Sequence, residues 1–265
     1  MFDIGAYTRL IEAVRQLEGV VSLGKSGGEA LPQRDEGDID LFVFCDAVPN
    51  INARRAVLEI AGAAASVRIA ERAGRFWGVC DCAMLGDCDL CLMYFTVSEM
   101  DAEIESTLDG FRLDREGEYF YPTGRCATFG SMHILYDTNG YIAAMKKKLS
   151  VYPDSLARAL LAHHIARVND EEDFERAVSR GDVLFYHATI ESALDHYLQA
   201  LFALNRRFFP SRKRTVQFVD GFSYKPRDCA KRLLRAVELG ARPETLEQSY
   251  EIWIALCDEL AEMTD

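Results

Sequence analysis

The stretch that most restricts the fold is Leu23 to Asp46, LGKSGGEALPQRDEGDIDLFVFCD. A short apolar segment runs into a turn containing glycine and serine. After a polar interval come Asp38-Ile39-Asp40 and, at once, the apolar run Leu41 to Phe44. That run is too short for a helix of normal length and rich in β-formers, so it predicts a strand. Strand side chains alternate between faces, which sends Asp38 and Asp40 the same way at the strand mouth. Two like charges placed so are costly unless a cation sits between them. A hard divalent ion such as Mg²⁺, which takes oxygen ligands, answers that need.

The elements around this stretch follow from periodicity. Ile4, Tyr7, Leu10, Ile11, Val14 and Leu17 lie on one helical stripe that Gly19 ends, and Val20 to Leu23 is β-like. The alanine-rich residues 53–72 read as a helix. Phe76 to Leu85, Gly86-Asp87 and Cys88 to Thr96 read as strand, two-residue turn and returning strand. Ser98 with Asp101 offers a helix start, and Asp101 to Leu108 the helix. Residues 110–130 have no clear pattern, and Met132 to Tyr136 is one more short strand. Beyond residue 140 only helical segments remain: 141–149, 154–168, 170–179, 182–206, 227–239 and 244–263. The expected fold class is therefore α+β, a mixed sheet flanked by helices over residues 1–138, followed by an all-α helical-bundle domain over 139–265.

Chemistry beyond the two aspartates needs a third carboxylate, because a two-metal phosphoryl-transfer site clamps both attacking and leaving oxygens. Asp89 stands at the start of the second hairpin strand, where a lone carboxylate in an apolar strand needs a reason. Asp87 is the rival, although the turn alone explains an Asp there. Gly24, Ser26, Gly27 and Gly28 allow backbone N–H groups and a hydroxyl to approach a phosphate closely. The Walker pattern is absent, which excludes a P-loop.

Composition sets outer limits. The 265 residues carry a net charge of −12, which argues against an extended nucleic-acid surface. A phosphate-bearing ligand then needs a small local site, and a cationic small molecule suits the remaining field. No basic patch leads into a long apolar run after Met1, and no stretch is long enough to span a bilayer. The eight cysteines, Cys45, Cys80, Cys82, Cys88, Cys91, Cys126, Cys229 and Cys257, are expected to be free thiols in a reducing cytoplasm. Cys80-x-Cys82 and Cys88-x-x-Cys91 have zinc-like spacing. Alternation sends Cys88 and Cys91 to opposite faces of one strand, so small buried thiols are the expectation. His163-His164 read as structural or exposed, and His187 and His196 lie near Glu191 and Asp195, two acids that could serve acceptor binding but read first as a solvated helix face. Lys146-Lys147-Lys148 reads as a dipole-compensating helix end. Tyr119, Phe120 and Tyr121 could stack on a base or a drug ring and are more often core.

Gly24-Lys25-Ser26, the polar gap, Asp38-Ile39-Asp40 and the later Cys88-Asp89-Leu90 resemble the polymerase-β-type nucleotidyltransferase signature. The similarity is to the bacterial aminoglycoside and lincosamide nucleotidyltransferase branch and its uncharacterised relatives, which also carry a C-terminal helical domain. His133 to Asp137 with Tyr152-Pro153, Arg180-Gly181-Asp182, Leu201 to Asn205 and Phe209 to Lys213 look like that branch too. The resemblance implies a nucleotidyltransferase fold in the first half and Mg²⁺ held by Asp38, Asp40 and Asp89. It implies a nucleoside triphosphate, ATP by preference, whose phosphates meet Gly24, Lys25 and Ser26, with Lys213 as a further phosphate contact. A hydroxyl of a small-molecule, antibiotic-like acceptor would attack the α-phosphorus and pyrophosphate would leave. Asp89 would complete the metal site or take the hydroxyl proton, and the helical half would select the acceptor. Lys25 replaces the family's usual small residue, and Glu29 and Glu36 add negative charge near the triphosphate. The competing readings are a protein or RNA end as acceptor, and a non-catalytic nucleotide-binding regulatory module.

Overall fold

The computed structural model describes residues 3–29, 31, 38–61, 66–117 and 120–264. Among the described residues, six strands mix with α-helices before helices continue alone: α1 Ile4–Arg15, β1 Val20–Lys25, β2 Ile39–Cys45, α2 Ile51–Ile60, β3 Arg68–Gly74, β4 Gly78–Leu85, β5 Cys88–Thr96, α3 Val97–Leu108, α4 Gly124–Ser131, β6 His133–Asp137 and α5 Tyr141–Lys148. The helical region continues with α6 Asp154–Ile165, α7 Glu171–Arg180, α8 Val183–Leu204, α9 Thr215–Asp220, α10 Cys229–Leu239 and α11 Leu246–Glu262. The chain divides into two compact units, residues 1–106 with 125–151 and residues 107–124 with 152–265. Residue 138, where the sequence places its boundary, lies between β6 and α5, within the first unit.

In the first unit the sheet order is β3-β4-β5-β2-β1-β6. β2 and β5 are parallel, and the other neighbours are antiparallel. One face buries Leu23, Leu41, Val43, Leu90, Leu92 and Tyr94 against Leu10 and Val14 of α1 and Val57 and Leu58 of α2. The other face carries Phe42, Phe44 and Phe95, covered by Phe129 of α4 and Tyr141 of α5, each with its ring 5.2 Å from that of Phe44. The same two-residue period that buries Leu41 and Val43 therefore sends Asp40 to the aromatic side.

Local sequence explains the joins. Asp3 caps α1 through the Ala6 amide, and Asn50 caps α2 through Asn52 and Ala53. Gly86, at φ +66°, takes the first central position of the β4–β5 turn, as a type II′ hairpin requires. The Asp137 carboxylate accepts from the amides of Ile142 and Ala143 at the start of α5 and from the Ser22 hydroxyl, tying β1, β6 and α5 together.

Two sequence expectations are corrected. The helix expected over 53–72 stops at Ile60, and Arg68–Gly74 is an edge strand paired with β4. The alanines gave helical propensity, but hydrogen bonding to β4 decides the conformation of 68–74. The third helix starts at Val97 rather than Asp101. Its cap is Thr96 with Glu99: the Glu99 amide donates to the Thr96 hydroxyl at 3.2 Å, and the Thr96 amide to the Glu99 carboxylate at 3.3 Å.

The second unit has its own core, built on Phe174, Tyr186, Tyr197, Phe202, Phe209 and Trp253. Arg180-Gly181-Asp182 is a junction: Gly181 ends α7 in the left-handed region at φ +61°, and Asp182 caps α8 through the Phe185 amide. Among the described residues no helix is long and apolar enough to cross a membrane.

Candidate active site

The parallel register of β2 and β5 sets Ile39 beside Leu90, Asp40 beside Cys91 and Leu41 beside Leu92. Continued by one residue, it sets Asp38 beside Asp89. Residues directly paired in neighbouring strands share a face, about 4.8 Å apart. Asp38, Asp40 and Asp89 thus occupy one face, opposite the side that Ile39, Leu41 and Leu90 bury under α1 and α2. Asp38 and Asp89 are exposed and Asp40 is half-buried. The Cys88 thiol is pushed up by burial and then by the charges of Asp38 and Asp89. Arg68 lies 3.8 Å from Asp89 and is shared with Glu71 at 2.7 Å. Asp87 occupies the exposed hairpin turn, outside both strands.

The turn after β1 is joined to this face. The Ser26 amide donates to the Asp40 carbonyl at 3.0 Å, and Ser26 is half-buried. Gly27 and Gly28 follow at φ +75° and +85°, two successive left-handed residues that other side chains rarely adopt. Gly24 lies on the carboxylate-bearing face. A Cβ there would come within 2.3 Å of Met132 Sδ and 2.6 Å of its Cγ, so only glycine fits as packed. Lys25 pairs with Leu41 on the helix-covered side. It is buried, its Nζ donates to the Ser26 carbonyl at 3.2 Å, and burial lowers its pKa. Glu29 is exposed, while Glu36 and Tyr119 lie outside the described residues. Lys213 belongs to the second unit, exposed in the turn before α9, with its amide donating to Ser211 Oγ at 3.2 Å.

Two features of this face are not evident from spacing. The Arg125 guanidinium of α4 stands over the rings of Phe95 and Phe42, 4.8 and 5.3 Å from their centroids. Burial draws its pKa down to about 10 against the pull of Glu103 and Asp40, so a positive charge lies in the field of Asp40. The second is sulfur. Cys82 pairs with Cys91 across β4 and β5, and Cys80 is two residues from Cys82 on the same side. The three sulfurs lie within 4.8 Å of one another. Hydrogen bonds from Cys80 and Cys82 pull the Cys91 thiol well below its ordinary value, against burial and Asp40. Cys88 faces the opposite core, as alternation requires.

In the second unit, Asp195 is buried. It accepts from Tyr121 Oη at 2.6 Å and Arg212 Nε at 2.5 Å, and Arg115 lies 2.6 Å away. Asp195 is thus a member of a buried charged network rather than of a solvated helix face, and Tyr121 is buried, in keeping with its reading as core. His163 pairs with Asp114 at 2.6 Å, and His164 with His196 at 2.8 Å.

Residues 121–214, which include Tyr121, Asp195 and Arg212 of that network but not Arg115, match a family described only as a domain of unknown function, DUF4037. No curated protein matches the chain. Among solved structures, a nucleotidyltransferase-like protein from Exiguobacterium sibiricum aligns over 97% of this chain and 73% of its own, at 13% identity and a TM-score of 0.46. A likeness that loose identifies neither fold nor activity.

Proposed function

We propose that the first unit carries a Mg²⁺-dependent nucleotidyl-transfer site. A nucleoside monophosphate would pass from a nucleoside triphosphate, with ATP the candidate, to a hydroxyl on a small-molecule acceptor. The observation that supports this reading is that Asp38, just before β2, Asp40 on β2 and Asp89 on β5 share one accessible face. Three carboxylates offer the oxygen ligands a hard cation prefers; their oxygens do not all lie within 4.8 Å of one another, so Asp38, Asp40 and Asp89 would hold the ion by turning their side chains toward it. When bound there, Mg²⁺ supplies charge neutralisation for the triphosphate and polarises the α-phosphoryl group.

The protein's own groups do the rest. The Ser26 hydroxyl and the amides of the Gly27-Gly28 turn donate to phosphate oxygens, and the Ser26–Asp40 hydrogen bond keeps that turn beside the carboxylates. Arg125 adds fixed positive charge on the same face. The acceptor oxygen bonds to the α-phosphorus as the α–β bridging oxygen departs with pyrophosphate, and the exposed Asp89 takes the hydroxyl proton. Most of the rate enhancement in such a site comes from positioning and charge stabilisation. The net charge of −12 favours a cationic, antibiotic-like acceptor.

The test is pyrophosphate release from ATP with and without Mg²⁺ across a panel of hydroxyl acceptors, including protein and RNA. Release that needs both Mg²⁺ and a small acceptor, and that Asp38→Asn abolishes, supports the reading. ATP binding without pyrophosphate from any acceptor favours the regulatory module instead. Unchanged binding and turnover in Asp38→Asn overturns the site.

A further inference from the structure

We propose that Cys80, Cys82 and Cys91 form a binding site for one soft metal ion, with Zn²⁺ the biological candidate, on the same face of the sheet as the carboxylates. The site goes beyond nucleotidyl transfer and does not depend on it. Cys80 and Cys82 point the same way because they are two residues apart on β4. The antiparallel pairing with β5 sets Cys91 directly opposite Cys82. The Sγ atoms of Cys80 and Cys82 are 3.6 Å apart, and all three sulfurs lie within 4.8 Å of one another. Tetrahedral Zn²⁺ with Zn–S bonds of about 2.3 Å places its sulfurs about 3.8 Å apart, so the trio already stands close to three corners of that polyhedron.

Donor chemistry separates this site from its neighbour. Thiolates select zinc or monovalent copper, whereas carboxylates select magnesium. The Asp40 carboxylate, in register beside Cys91, is not one of the converging groups. Three thiolates around a divalent ion leave one negative charge, and the neighbouring strand supplies its balance. Arg72 pairs with Cys80 across β3 and β4, whereas Arg68, opposite Cys82, is already held by Glu71 and Asp89. Cys80 and Cys82 are buried and Cys91 is half-buried, so solvent reaches the trio from the Cys91 side. That leaves the fourth position to water, as in zinc sites with three protein ligands. Binding releases the thiol protons to solvent as sulfur–metal bonds form, with no change of oxidation state. The ion would pin β4 to β5 two residues from Asp89.

The experiment uses the full chain, reduced with a phosphine and freed of metal by a chelator, titrated with Co²⁺ and then Zn²⁺. The expected result is one Co²⁺ per chain, with an intense thiolate-to-cobalt charge-transfer band in the near-ultraviolet that equimolar Zn²⁺ abolishes. Cys80→Ser, Cys82→Ser and Cys91→Ser should each weaken binding at least about a hundredfold. Cys88→Ser, on the opposite face, should bind as the parent does. Far-ultraviolet circular dichroism checks folding, and Cys91→Ala, at the half-buried position, provides a second variant should a buried serine unfold the sheet. Absence of the band in folded parent protein overturns the proposal. So does binding that survives all three serine variants, or a Cys82–Cys91 disulfide that persists in the reduced, metal-loaded chain.

Discussion

Asp40 and Cys91 stand side by side in the parallel pairing of β2 with β5. That one register brings an oxygen-rich and a sulfur-rich cluster onto one face, and it sets Asp38 beside Asp89 a residue earlier. If Asp38 and Asp89 act together on a bound nucleotide, Asp38→Asn and Asp89→Asn should each lower Mg²⁺-dependent pyrophosphate release by about a hundredfold or more. Asp87→Asn, in the turn, should stay within about twofold of the parent. Both Asp38 and Asp89 are exposed, so the melting temperature should hardly move. A large loss in Asp87→Asn with none in Asp89→Asn would reverse the assignment.

Gly24 is expected to resist substitution for steric reasons. The added methyl of Gly24→Ala meets Met132 Sδ at 2.3 Å, inside a packed layer that also contains Ile142. Overpacking of this kind costs about 1–3 kcal/mol. Urea denaturation measures it, and a loss below about 0.5 kcal/mol would mean that Met132 moves aside freely.

Arg54 and Asp81 form a buried ion pair behind β4. Asp81 is fully buried and accepts from Arg54 Nε at 2.8 Å and from the Ala70 amide at 2.8 Å, while Arg54 also donates to the Pro49 carbonyl at 2.9 Å. Removing one partner strands the other charge, so Asp81→Ala should destabilise the chain by about 3–5 kcal/mol. Replacing both residues with apolar ones of similar volume should recover much of that loss. A single substitution as mild as the double one would show that the pair is not energetically coupled.

Acid should weaken the second unit through its histidines. Burial, then the neighbouring His196 and His163, hold His164 down at about 3 from an ordinary 6.5, and burial also lowers His196. In the unfolded chain His164 takes up its proton near pH 6.5; in the folded chain it does so only near pH 3. Its stabilising contribution is therefore complete above about pH 6.5 and is lost as pH falls toward 3, by at most about 1.4 kcal/mol per pH unit. His164→Phe should flatten the fall in melting temperature between pH 7 and pH 5. An identical slope in parent and variant would remove His164 from the account.

Much of this architecture is legible in the residues themselves. Alternation alone puts Asp38 and Asp40 on one face. The Gly86-Asp87 turn and its two strands follow from local pattern, as do the helices after residue 140 except α9, the short helix Thr215–Asp220, which no expected segment covers. What sequence withholds is partnership between strands. Nothing local says that β2 lies beside β5, so the place of Asp89 next to Asp38 is settled only by the register. The cysteines repeat that lesson: alternation rightly separates Cys88 from Cys91, yet pairing with β4 returns Cys91 to Cys82. Arg125 was hidden in a stretch without pattern. The Thr96–Glu99 cap was hidden because the helix begins directly where a strand ends.

β3 closes one side of the sheet with residues that are almost all exposed. Its ladder with β4 is interrupted between Arg68 and Arg72, Ala70 adopts φ +52°, and the Ala70 amide is committed to Asp81. Such a border offers an incoming chain few free amides in line and sets guanidinium groups in its way. Crowded or partly unfolded preparations should therefore clump less through this margin than through a flat, uncharged one. Straightening it with Ala70→Val and Arg72→Val would remove that safeguard.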